Sequence, residues 1–140
     1  ACFDGFDYDK IAAYGEADVE RILACDGMIR SRRKVEAVIQ NARHFQEIRA
    51  EIGSFSRFLW DFTDGKSILY AGHQKGRIAA KNELSDRISR ELKGRGFRYL
   101  GPVTVYSHLQ ACGVINDHLE NCTRRQEIAE RYPTVRKRDR

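Results

Sequence analysis

LSDRISRELKGRGFRYLGPVTVYSHLQACGVINDHLENC, residues Leu84–Cys122, decides how the rest of the chain is read. It parses as helix, tight hairpin, helix, and then a short segment dense in groups that bind metal or protons. Ser85 is placed to cap the first helix, its side-chain oxygen taking an amide that has no partner inside the helix. Ile88 and Leu92 fall four apart on one face. Gly94 and Gly96 supply the backbone freedom that ends the helix. Gly101-Pro102 follows, with the proline at a first helical position, where its missing N–H costs nothing. The second helix carries Val103, Tyr106, Leu109 and Cys112 on one face and closes at Gly113. Its free amides would face solvent, and such amides bind phosphate because the dipole and the unpaired N–H groups act together. Periodicity alone favours an ordinary αα-hairpin inside a helical domain. The surrounding residues shift that balance.

Upstream, Phe3, Phe6 and Tyr8 make an aromatic opening, and Asp7 is set to cap a short helix through Ile11 and Ala12. A second short helix, Ala17 to Cys25, buries Val19, Ile22 and Leu23. Ser31 then caps the longest helix, Arg32 to about Ile52. Its stripe of Val35, Val38, Ile39, Ala42, Phe45, Ile48 and Ile52 keeps helical spacing and reads as core. Arg30, Arg32, Arg33 and Lys34 crowd its start, against the helix dipole; a solvated basic end and a phosphate contact are equally good readings. Phe55, Phe58 and Phe62 form a short aromatic helix, and Trp60 lies off that face. Thr63 to Asn82 reads as a mobile polar loop, with Gly65, Gly72, His73 and Gly76 and a basic tilt from Lys66, Lys75, Arg77 and Lys81. Thr123 onward forms one helical turn or two before Pro133 and ends RKRDR, a solvated basic tail. The expected fold class is all-α.

The 140 residues suffice for one domain with a real core, and 41% hydrophobic with 32% charged residues is ordinary for a globular chain. No apolar run reaches bilayer length, so no membrane partner is expected. A net charge of +5 fits a polyanionic partner. Cys2, Cys25, Cys112 and Cys122 lack the spacing of a disulfide framework, which points to a reducing, cytoplasmic setting. The chain opens at Ala1-Cys2-Phe3 already in domain-like sequence, so a processed or partial product is expected.

GMIRSRRKVEAVIQNAR (residues 27–43) and the hairpin with Leu100-Gly101 together resemble a helix-hairpin-helix DNA glycosylase. LKGRGFRYLGPVTVYSHLQACGVINDHLENC, ACFDGFDYDKIAAYGEADVERIL and FLWDF resemble more specifically the DNA-3-methyladenine glycosylase I family. The most specific motif is Tyr106-Ser107, Gln110-Ala111, Gly113, Asn116-Asp117-His118 and Cys122. The resemblance implies a helical glycosylase-like domain over 1–122, incomplete at its N-terminus, with the hairpin at about 85–113 and a basic tail at 123–140. It implies base-excision repair in a bacterial cytoplasm. A monomeric enzyme would flip 3-methyladenine out of alkylated double-stranded DNA and hydrolyse its N-glycosidic bond.

The same resemblance assigns roles residue by residue. The amides near Gly101, Val103 and Thr104 would hold the DNA backbone, with Arg98 as a further contact. Tyr99 stands where that superfamily's hairpin often has glycine, a departure from its tight turn. Tyr106 and Ser107 lie on the helix expected to face the base pocket. His118 and Cys122, spaced His-x3-Cys, can face one zinc ion. In the family a Cys and a His near the N-terminus complete that structural site, and no matching pair stands in this sequence. The segment carrying the family's carboxylate and aromatic pocket residues is likewise expected to be missing before Ala1. No catalytic residue is assigned; Asp117 is the one candidate, with orientation of His118 from behind as its favoured role. The alternative is a non-catalytic helix-hairpin-helix module that grips DNA and has lost the pocket.

Overall fold

Asp7 opens the first helix. Its carboxylate accepts from the amides of Asp9 and Lys10 at 3.1 and 3.3 Å, and α1 (Tyr8–Ala12) follows. In this computed structural model, which describes residues 2–28, 30–71 and 79–138, the later elements are α2 (Glu16–Leu23), α3 (Arg32–Ile52), α4 (Phe55–Asp61), β1 (Ser67–Ala71), α5 (Glu83–Gly94), α6 (Pro102–Ala111), β2 (Ile115–Asn116), α7 (Thr123–Arg131) and β3 (Thr134–Arg138). The chain divides into two compact units. One comprises Ala1–Phe55 and Leu92–Tyr99, the other Ser56–Glu91 and Leu100–Arg140.

The first unit is built on α3. Val35, Ile39 and Ala42 bury against Ile11, Ala12, Val19 and Ile22 of α1 and α2. Burying an aliphatic side chain of this size stabilises by roughly 1.5–3 kcal/mol, and Ile22 and Ile48 lose all their exposure. Arg43 reaches back from α3 to close the end of α1, donating to the carbonyls of Ala12 and Tyr14 at 2.9 and 3.1 Å. Those carbonyls have no helical partner, so the guanidinium replaces the missing turn. Ser31 stands at the N-cap of α3, but its side chain makes no capping bond. A disulfide joins Cys2 to Cys25, which corrects the expectation of unpaired thiols. The packing of α2 brings together two cysteines that lie 23 positions apart in sequence.

The second unit holds the main departure from the sequence reading. It is mostly helical, as expected, but carries a three-stranded parallel sheet in the order β2-β1-β3. β1 sits inside the segment expected to be loop. Ser67, Ile68, Leu69 and Tyr70 are all buried, so no alternation marks the strand. β3 is the basic run expected as a tail; it pairs Ser67 to Ala71 with Thr134 to Arg138. The helix before it, α7, is longer than the one or two turns expected. Gly72, His73, Lys75, Gly76 and Arg77, also placed in that loop, lie outside the described residues.

The start of α5 differs from expectation by three residues. Asn82 is the cap: its Oδ1 accepts from the Ser85 amide at 3.0 Å, while Ser85 Oγ accepts from the Asn82 amide at 2.9 Å. This is a reciprocal capping box, in which Ser85 plays the inner part. On α6, Val105, Tyr106 and Leu109 are buried, whereas Val103 and Cys112 are exposed, so the inward face is narrower than the spacing suggested.

Candidate active site and nucleic-acid interface

The hairpin residues fall in both units, and each part has its own anchors. In the first unit, Gly96 has φ +96, which favours glycine, and a Cβ there would lie 2.5 Å from His44 Nε2, so the imidazole would have to shift. Asn41 clamps the next stretch: its Nδ2 donates to the Arg98 carbonyl and its Oδ1 accepts from the Arg98 amide, both at 2.9 Å. Tyr99 then adopts φ +60, the left-handed conformation that glycine would take without cost. A bulky residue held there costs about 1–3 kcal/mol, and the ring remains 57% exposed. Sequence reasoning missed Asn41, because its partner lies 57 positions away.

In the second unit, Gly101 is the N-cap of α6 and Pro102 its first residue. The first intrahelical bond runs from the Val105 amide to the Gly101 carbonyl at 3.0 Å. The amides of Val103 and Thr104 therefore have no acceptor among the described residues, and both side chains are exposed. Ser89 Oγ donates to the Leu100 carbonyl at 2.8 Å and holds the residue before the cap. Two free amides thus stand at the positive end of a ten-residue helix, where the helix dipole favours negative charge. Arg98 belongs to the other unit, where its backbone rather than its side chain is anchored.

The basic start of α3 resolves into two kinds of residue. Arg32 is committed to carboxylates, bonding Glu16 at 2.6 Å and Glu20 as well, with Glu36 at 3.7 Å. The bond to Glu16 is the main reason its pKa lies above the ordinary arginine value. Arg30, Arg33 and Lys34 are exposed and make no ion pair among the described residues.

Past α6, Asp117 gathers a small polar cluster. Its Oδ2 accepts from the Tyr106 hydroxyl at 3.0 Å and from Gln110 Nε2. Tyr106 and Gln110, both named in the motif, stand one helical turn apart on α6. Asp117 makes no hydrogen bond to His118, so the expected orienting contact is not formed. The Tyr106 ring is 1% exposed, a core ring with a satisfied hydroxyl. Ser107 is exposed and donates to the Val103 carbonyl of its own helix at 3.2 Å.

His118 Nδ1 and Cys122 Sγ stand 3.9 Å apart. That separation suits two ligands of one tetrahedral zinc, whose bonds to nitrogen and sulfur are about 2.0–2.3 Å. Among the described residues no group of three His, Cys, Asp or Glu could hold a metal, so the pair alone does not make such a site. Arg125 braces this loop, donating to the carbonyls of His118 and Tyr70, each at 2.6 Å. Beside it lies a cavity of about 360 Å³ lined by Gln110, Asn116, Asp117, His118 and Ile128. Asn116 is 3% exposed, and its Oδ1 has no partner.

A family model described as methyladenine glycosylase matches residues 1–125. The chain belongs to that family. It is 38% identical over 122 residues to DNA-3-methyladenine glycosylase 1 of Escherichia coli K12, a match covering 87% of this chain. The chain spans 65% of the length of that curated relative. A crystal structure of 3-methyladenine DNA glycosylase I superimposes with a TM-score of 0.77 at 40% identity, over 87% of this chain and 67% of that one. A variant of 3-methyladenine DNA glycosylase I in complex with 3-methyladenine superimposes with a TM-score of 0.77 at 34% identity, over 87% and 66%. In this chain the hairpin, the Asp117 cluster and the His118–Cys122 pair all fall inside the matched residues.

Proposed function

We propose that the protein to which these residues belong repairs alkylated DNA by base excision, releasing 3-methyladenine from the duplex. The observation that carries this reading is the pair of free, exposed amides at the start of α6 in a member of this family. The hairpin amides would hold a backbone phosphate and so fix the register of the duplex, while the damaged nucleotide leaves the stack. Methylation at N3 makes adenine cationic, so the base departs as a good leaving group. Water adds at C1′ and loses a proton, the C1′–N9 bond breaks, and free 3-methyladenine and an abasic sugar remain. A carboxylate near the sugar would stabilise the positive charge that develops there. Asp117 is this chain's candidate, and it is the group in the cluster with both neighbours donating to one oxygen.

Zinc belongs to the same proposal. It would be held by His118 and Cys122 with two ligands that the described residues do not supply, and its part would be to pin the loop after α6. The setting proposed is the bacterial cytoplasm, with the protein acting as a monomer.

The second reading is a DNA-gripping module without chemistry. What favours it is that the Tyr106 ring, on the helix expected to face the base pocket, is 1% exposed. Release of free 3-methyladenine from methylated duplex DNA separates the two. Release supports the enzyme. Tight, salt-sensitive duplex binding without release, in protein whose zinc content has been restored, supports the module.

A further inference from the structure

The largest cavity among those described in the second unit, about 420 Å³, is walled by α5, β1 and β3. It takes no part in the functions argued above. Parallel strands set paired residues on the same face of a sheet. Ile68 pairs with Val135 and Tyr70 with Lys137, so the face that begins apolar on β3 ends in a cation above Tyr70. Arg138 lines the cavity from the next position. From the opposite wall comes Arg87 of α5, whose guanidinium lies over the Phe62 ring with its carbon 5.1 Å from the centroid. Such stacking orients the guanidinium plane while leaving its edge free to donate.

These three cations have no carboxylate partner among the described residues, as Arg30, Arg33 and Lys34 have none, but these three together line one cavity with an aromatic wall. Arg21, Arg32, Arg49, Arg95 and Arg124 all have carboxylates within ion-pair distance. Arg87, Lys137 and Arg138 have none among the described residues, although Glu83 lines the same cavity. Three uncommitted cations facing one carboxylate leave a site that favours an anion. β3 is an edge strand with Arg136, Lys137 and Arg138 all exposed, so the site opens along a sheet edge instead of closing round a small molecule. Residues 134–138 also lie outside the 1–125 matched by the family model, so this wall is not part of what relates the chain to its family.

We propose that this cavity is a second DNA-backbone site, in which Arg87, Lys137 and Arg138 clasp a phosphodiester group of the duplex. The assignment rests on the reading that the protein acts on duplex DNA. Its test is the salt dependence of binding to a short labelled duplex, followed by fluorescence anisotropy, for the wild type and for Arg87→Gln with Lys137→Gln. Each phosphate contact contributes about 0.9 to the slope of log K against log [salt]. The double variant is therefore expected to bind more weakly, with a slope shallower by about one, and equally so for methylated and unmethylated duplexes. Lys137→Arg should keep wild-type affinity. The altered side chains are exposed, and an unchanged melting curve checks the fold. Unchanged affinity and slope in the double variant, with a wild type that binds, overturns this site and leaves the glycosylase reading standing. A wild type that binds no duplex at any salt overturns both. If adenosine monophosphate binds the wild type and not the double variant while duplex binding is unaffected, the cavity is a nucleotide site and the backbone assignment is wrong.

Discussion

Unit one packs two short helices on one long one and is closed by a covalent bridge. Unit two is assembled from pieces distant in sequence: Ile68 on β1 pairs with Ile115 on one side and Val135 on the other. In the first, each helix carries its own amphipathic face, and α1, α2 and α3 follow one another along the chain. In the second, β1 pairs with β2 and β3, which follow α5 and α6 along the chain. Local structure and long-range closure thus divide between the units, and closure is the slower and more entropically costly of the two.

The largest effects should come from the two cores, and they test whether the units are independent. Ile22→Ala in the first and Leu109→Ala in the second each remove a side chain with no exposed surface. Each should cost about 2–5 kcal/mol. Trp60, the sole tryptophan, lies in the second unit, so its fluorescence in a urea titration reports that unit. Leu109→Ala should move this transition and Ile22→Ala should leave it in place. Equal shifts would mean that one cooperative body unfolds, and the distinction between the units would collapse.

The covalent bridge comes next. Closing a loop between Cys2 and Cys25 limits the unfolded chain, and reduction should destabilise the first unit by about 3 kcal/mol. Thiol labelling after denaturation checks the premise: two cysteines should react before reduction, Cys112 and Cys122, and all four after it. Four labels without reductant would show the pair to be thiols. In the second unit a guanidinium does the corresponding work. Arg125→Ala removes two bonds from a charged donor to the carbonyls of Tyr70 and His118, and should cost about 2 kcal/mol, read from the Trp60 transition.

The contrast between the units also decides how far the sequence could be read. α3 announces itself, because Val35, Ile39, Ala42 and Ile48 repeat at helical spacing and all bury. β1 offers four buried residues in a row, a pattern that a loop or a buried helical turn can share. β3 offers one apolar residue, Val135, among cations, and its partner strand supplies the reason to be a strand. The site divides the same way. Gly101-Pro102 predicts a helix start from local chemistry alone, and the free amides of Val103 and Thr104 follow from it. The Asn41 clamp on Arg98, the disulfide and the Arg125 brace depend on tertiary proximity, which no local pattern records.

The smallest effect isolates the hairpin. α2 and α6 both begin at a glycine N-cap, Gly15 in the first unit and Gly101 in the second, each in extended backbone with open space where a Cβ would stand. Aspartate fits both positions, and as a cap it should stabilise either helix by a few tenths of a kcal/mol over glycine. Only at Gly101 would the carboxylate sit on the amides of Val103 and Thr104 that are proposed to hold phosphate. Gly101→Asp should therefore raise the melting temperature slightly while weakening duplex binding about tenfold, or 1.4 kcal/mol. Gly15→Asp adds the same charge and the same cap in the other unit and should leave binding nearly unchanged. Equal losses from the two variants would mean that net charge alone governs the affinity, and the hairpin would lose its role as the anion receptor.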